Sequence, residues 1–113
     1  MNALELGKKH FTERMSVIKS LIVPEWGGLQ IFYKPSMTMK DTGKILKLHS
    51  EGELAEAIIM TLIIKALDKD GKKMYVPADR LVMSLQFCPD VISRVVTEMS
   101  DDDQFTAEDA TKN

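Results

Sequence analysis

The sequence predicts an α+β domain: an N-terminal β-hairpin followed by three or four helices, with a disordered acidic tail at the C-terminal end. Three observations carry that expectation. Two short runs rich in β-branched and aromatic residues, 15–23 and 29–33, flank a Trp-Gly-Gly turn. Residues 54–67 are apolar except for Glu56, Thr61 and Lys65, as a buried central helix requires. Finally, Val91, Ile92, Val95, Val96 and Met99 form a one-sided stripe at helical spacing.

Taken in order, residues 4–14 read as a short helix through Leu4, Leu6 and Phe11, interrupted by Gly7. The run M-S-V-I-K-S-L-I-V that follows suits a strand and is stopped by Pro24. After Gly27 and Gly28, L-Q-I-F-Y reads as its antiparallel partner, closed by Pro35. Thr38-x-x-Asp41 resembles a capping box and predicts a helix to Ser50 despite Gly43. Ser50-x-x-Glu53 marks a second start, opening the apolar helix, for which a buried strand is the alternative. That segment is too short to span a bilayer, which takes about 20 residues. Asp68-Lys69-Asp70-Gly71 reads as a turn with Gly71 free to take a positive φ. Pro77 opens a helix to about Leu85, and Cys88-Pro89-Asp90 repeats the device for the last one.

The 113 residues make one domain, 44% hydrophobic and 28% charged, so a two-domain enzyme is excluded and a folded core is affordable. Charge divides the chain unevenly. Residues 100–113 hold Asp101, Asp102, Asp103, Glu108 and Asp109 against Lys112, a net of −4. The other 14 basic and 12 acidic residues leave +2 on residues 1–99. With Phe105 as its one large apolar residue, the tail lacks the surface to offset the entropy of ordering. The expected organisation is therefore a single domain over 1–99 and a flexible acidic tail over 100–113. A formal net charge of −2 provides no basic footprint for nucleic acid or an anionic membrane. The opening residues show no secretory pattern, and an intracellular, reducing compartment is expected.

Chemistry-bearing side chains are few. One Cys and two His exclude an internal disulfide and leave too few N and S ligands for a structural zinc site. Cys88, beside Pro89 at a helix start, is the single candidate nucleophile, and it reads better as a small buried apolar residue. Asp68-x-Asp70-Gly71 resembles a calcium loop but has Pro77 where the last ligand should fall. A recognition helix over residues 90–99 would offer DNA only Arg94, alongside Asp90 and Glu98. No catalytic residue, cofactor or metal is expected.

Methionine is the more telling residue, with eight in the chain. Its flexible, polarizable side chain suits surfaces that adapt to partners. Met60 and Met99 read as core. Met37 and Met39 lie in a weakly hydrophobic segment and read as surface.

The order of elements, together with P-E-W-G-G at residues 24–28, the D-x-D-G turn followed by Tyr75 and Asp79, and a final helix after a Cys-Pro step, resembles the tail assembly chaperone family of long-tailed, non-contractile bacteriophages. The resemblance covers about residues 17–99. Lys73 and the lysine-rich residues 40–47 depart from the family pattern.

The resemblance implies a non-enzymatic protein that binds the tape-measure protein, keeps it soluble and helps recruit tail-tube subunits during tail morphogenesis. It implies work in the host cell cytoplasm and absence from the mature virion. It also implies a longer form, made by a programmed −1 ribosomal frameshift, that contacts the tail-tube protein. Lys112-Asn113 can be encoded as part of an A-AAA-AAC slip site, which would make the tail a tether to that form. Homo-oligomers are expected, with Trp26, Phe32, Tyr33, Met37 and Met39 as the candidate partner and self-association surface. The alternatives are a small DNA-binding regulator and a minor structural head–tail or tail component.

Overall fold

The computed structural model describes residues 2–100, so the acidic-tail expectation falls almost wholly outside the described residues. The chain runs α1 (Ala3–Met15), β1 (Lys19–Val23), a 3-10 turn (Pro24–Trp26), β2 (Leu29–Tyr33), α2 (Met39–Ser50), α3 (Leu54–Lys65), a 3-10 turn (Pro77–Asp79), α4 (Arg80–Gln86) and α5 (Pro89–Ser100). An antiparallel hairpin followed by four helices is the α+β arrangement expected, with one more helix in front of it.

Helix α1 is longer than its sequence promised. Asn2 caps it by accepting from the Glu5 backbone N–H at 2.9 Å, and Ser16 closes it by donating to the Thr12 carbonyl at 3.1 Å. These local bonds carry the helix past Gly7 to Met15, and β1 consequently begins at Lys19 rather than at Met15. None of its residues is buried, so α1 contributes little to the core.

In the hairpin, Leu21 pairs with Ile31 and Val23 with Leu29. Alternation places Leu21, Val23, Ile31 and Tyr33 on the inner face and leaves Ile22 exposed on the other. The chain leaving α3 extends this sheet by single-residue bridges: Leu67 exchanges backbone bonds with Phe32 at 2.8 and 2.9 Å and bridges to Lys73. The turn between those positions is closed by Asp68, whose Oδ1 accepts from the backbone N–H groups of Asp70 and Lys72 at 2.8 and 3.0 Å. Gly71 takes φ +81°, as its place in the turn demands. The D-x-D-G motif is thus a self-contained turn whose carboxylate is held by its own backbone, and those bonds keep the Asp68 carboxyl below its usual pKa.

Thr38 caps α2, accepting from the Asp41 N–H at 3.1 Å. The expected second start at Ser50 is a helix end instead. Ser50 lies within α2 and donates its hydroxyl to the Lys47 carbonyl at 2.8 Å. Gly52 at φ +76° then turns the chain, with its N–H on the His49 carbonyl at 3.1 Å and that of Glu53 on the Leu48 carbonyl at 2.9 Å. This is a Schellman ending, and it leaves α3 without a side-chain cap. Nothing lies within 4 Å of a Cβ added at Gly52, so an alanine there meets only the backbone penalty. Gly52→Ala should cost about 1–2 kcal/mol, read as a melting-temperature drop of roughly 4–16 °C for a domain of this size.

Helix α3 is the centre of the fold, packed against α2, α4 and α5. Leu62 within α3 and Ala66 just after it are fully buried, and the hairpin's inner face and the stripe of α5 belong to the same core. All five predicted stripe residues of α5 are buried. Met99 is fully buried and Met60 is half-buried. Lys65, at the end of α3, is buried as well, its ammonium donating to the Met99 carbonyl at 2.9 Å and so fastening α3 to the last turn of α5. Among the described residues, no helix is long and apolar enough to cross a membrane.

Candidate partner surface

The five sequence-predicted surface residues do not converge on one site. Trp26 sits in the turn between β1 and β2, half-buried, its ring edge-to-face with Phe87 at a centroid distance of 5.2 Å. Phe32 is half-buried at the sheet edge that Leu67 joins. Tyr33 belongs to the core at 6% exposure, because its place in the strand alternation turns it inward with Ile31. Met37 lines a groove beside α2, whereas Met39, at 83% exposure, stands in solvent at the start of that helix.

Two concave surfaces result. The first, about 480 Å³, is a shallow aromatic recess with Trp26, Tyr75 and Phe87 on its walls and Cys88 at its rim. Burial, with the Asp79 carboxylate nearby, raises the Tyr75 phenol pKa above its usual value. Cys88 is a free and exposed thiol rather than the buried apolar residue its sequence neighbours imply. The second is a groove of about 610 Å³ in which Ile45 and Leu46 of α2 face Ile58 of α3 and Val96 of α5.

The recess is braced on one side by an ion pair spanning the fold. Both guanidinium nitrogens Nη1 and Nη2 of Arg94 on α5 donate to the Glu25 carboxylate, at 2.5 and 2.6 Å. The Arg94 hydrogen bonds hold the Glu25 pKa near 2, well below its ordinary 4.5. The one basic side chain that a recognition-helix reading gave α5 is therefore already bound to a carboxylate. Because the folded pKa is depressed, the pair's contribution is complete above about 4.5 and is lost as pH falls toward 2. A carboxyl-carbon NMR titration should place Glu25 near 2, and Arg94→Gln should raise its midpoint toward the ordinary carboxylate range.

Residues that the sequence did not single out as surface provide an exposed apolar stripe. In α4 the buried residue is Met83, while Leu81, Val82 and Leu85 are 66%, 48% and 73% exposed. Their i, i+1, i+4 spacing would ordinarily mark an inward face. The helix is rotated so that its apolar stripe points outward, with Arg80 paired to Glu56 of α3 at 3.6 Å. On α1, Leu4, Leu6 and Phe11 are exposed too. Among the described residues, no group of three or more His, Cys, Asp or Glu side chains comes together in a way that could hold a metal ion.

No family model matches the sequence. No curated protein matches it either. Among solved structures, the bacteriophage HK97 tail assembly chaperone is similar at a TM-score of 0.65 and 18% identity, the match covering 80% of this chain and 84% of that one. The hairpin, the central apolar helix and the helices around it are thus arranged as in a phage protein of that class, and this chain has the fold of a bacteriophage tail assembly chaperone.

Proposed function

We propose that this chain is a tail assembly chaperone that binds the tape-measure protein, keeps it soluble and helps bring tail-tube subunits to it. The shared fold carries the reading. The exposed apolar stripe of α4 supports it, because Leu81, Val82 and Leu85 have no role in this chain's own core. A long client with apolar stripes along its length needs such surfaces repeated, so several copies of a small protein with outward-facing leucines and an adaptable methionine, Met39, would shield it. In this reading the protein acts in the host cytoplasm, without catalysis, is left out of the finished virion, and self-associates along the client. A longer frameshifted form would carry the contact to the tail-tube protein.

The test is co-expression with the tape-measure protein from the same genome. The client should be recovered in the soluble fraction with this chain and in the pellet without it. A client that stays in the pellet in both cases contradicts the proposal.

A further inference from the structure

The hairpin has one closed edge and one open edge. Leu67 exchanges both its backbone bonds with Phe32, so the N–H and C=O of Phe32 point away from β1. Ser20 stands opposite Phe32, and in an antiparallel ladder it must likewise turn its backbone groups away from β2. Ile22, two residues on, does the same. Among the described residues, no backbone hydrogen bond reaches these outward groups of Ser20 and Ile22. Ile22 and Ile18, on either side of Ser20, are exposed. Such an edge is a template for another strand, and folded proteins usually guard it with a proline, a charge or a bulge. Pro24 lies just beyond β1, and Ser20–Val23 holds neither a charge nor a proline.

The edge matches itself in one register. Across a two-fold axis, outward-pointing residues must pair with outward-pointing residues. Centring the pairing on Leu21 or Ile22 sets Pro24, which has no N–H to donate, into the new ladder. Centring it on Ser20 avoids the proline. Ile18 then faces Ile22 of the second copy at both ends, Ser20 faces Ser20, and Lys19 faces Leu21 rather than another lysine.

We propose that the β1 edge pairs with the β1 edge of a second copy about a two-fold axis at Ser20, joining the two hairpins into one antiparallel sheet. This gives a surface to the self-association in the proposed function and rests on that reading only there, because the pairing needs no client. An edge about 17 Å long falls short of the roughly 1,000 Å² that a stable interface clears, so the dimer forms reversibly and at high concentration.

A nitroxide at Gln30→Cys, in the full chain with Cys88→Ser, tests the pairing by double electron–electron resonance. Gln30 stands opposite Ile22, so two labels lie three strand spacings apart and four residues out of step, about 20 Å from each other. That distance should emerge as protein concentration rises. Ile18→Lys or Ile22→Glu alone should weaken the dimer about 2- to 30-fold, through the two cross-strand pairs that each disturbs. The two substitutions together should restore it by setting opposite charges face to face, and salt should reduce that rescue. A chain that stays monomeric at millimolar concentration overturns the proposal, as does a double variant no better than the single ones. So does a distance far from 20 Å, or one that both single substitutions leave unchanged, since the contact is then on another face such as α4. The client co-expression assay reads the chaperone proposal separately: a chain that solubilises its client but lacks this distance loses the present inference alone.

Discussion

Leu62→Ala should lower the melting temperature by roughly 10–30 °C, the largest effect expected of any single truncation in the chain. Leu62 has no solvent exposure and lies where α3 meets the other helices and the hairpin. Removing its isobutyl group forfeits transfer energy and opens a cavity that surrounding elements on every side cannot all move to fill, a cost of about 2–5 kcal/mol. Against a total stability of about 5–15 kcal/mol, that is a large share. Leu46→Ala on the exposed part of α2, at 60% exposure, is the matched control and should shift the melt by only a few degrees, about 4 °C or less. Thermal unfolding followed by circular dichroism reads both. Equal shifts would mean that α3 is not the centre of the core.

Leu81→Asp with Leu85→Asp should abolish client solubilisation while leaving the fold intact. Both side chains are mostly exposed, and substitutions at such positions usually change stability within about 0.5 kcal/mol. A client's apolar stripe, by contrast, would meet two carboxylates that must be desolvated without partners, which is strongly unfavourable. Co-expression with the tape-measure protein should therefore return the client to the pellet, with the variant itself soluble and melting close to the parent. Retained solubilisation would move the client surface away from α4.

Much of the fold was legible because local chemistry and burial agree. The β-branched and aromatic runs at 15–23 and 29–33 predict the hairpin, whose paired strands are 19–23 and 29–33. The stripe of α5 is the core stripe. What misled was competition between local signals. Ser50-x-x-Glu53 has the form of a helix start, but Gly52 at positive φ makes the same residues a helix end. Met15–Ile18 look extended, yet an i→i−4 bond at Ser16 claims the first of them for α1.

The candidate surface was harder to read, for a reason tied to periodicity itself. Spacing shows that a helix has an apolar face but not whether that face meets the core. In α5 it does; in α4 the equivalent stripe points outward and Met83 goes inward. Tyr33 is among the hydrophobic residues expected on the partner surface, whereas strand alternation puts it in the core. Met37 and Met39 are two residues apart and end in different environments, one lining the groove and one in solvent. The Glu25–Arg94 pair, spanning 69 positions, has no local signature.

The central claim is that this chain holds the tape-measure protein through exposed apolar surface. Sedimentation velocity on the co-expressed, purified pair tests it most directly. A single fast-sedimenting complex with several copies of this chain on each client is expected, persisting at high salt because burial of apolar area is not screened. Two separate boundaries, or a complex that dissolves as salt rises, would contradict it.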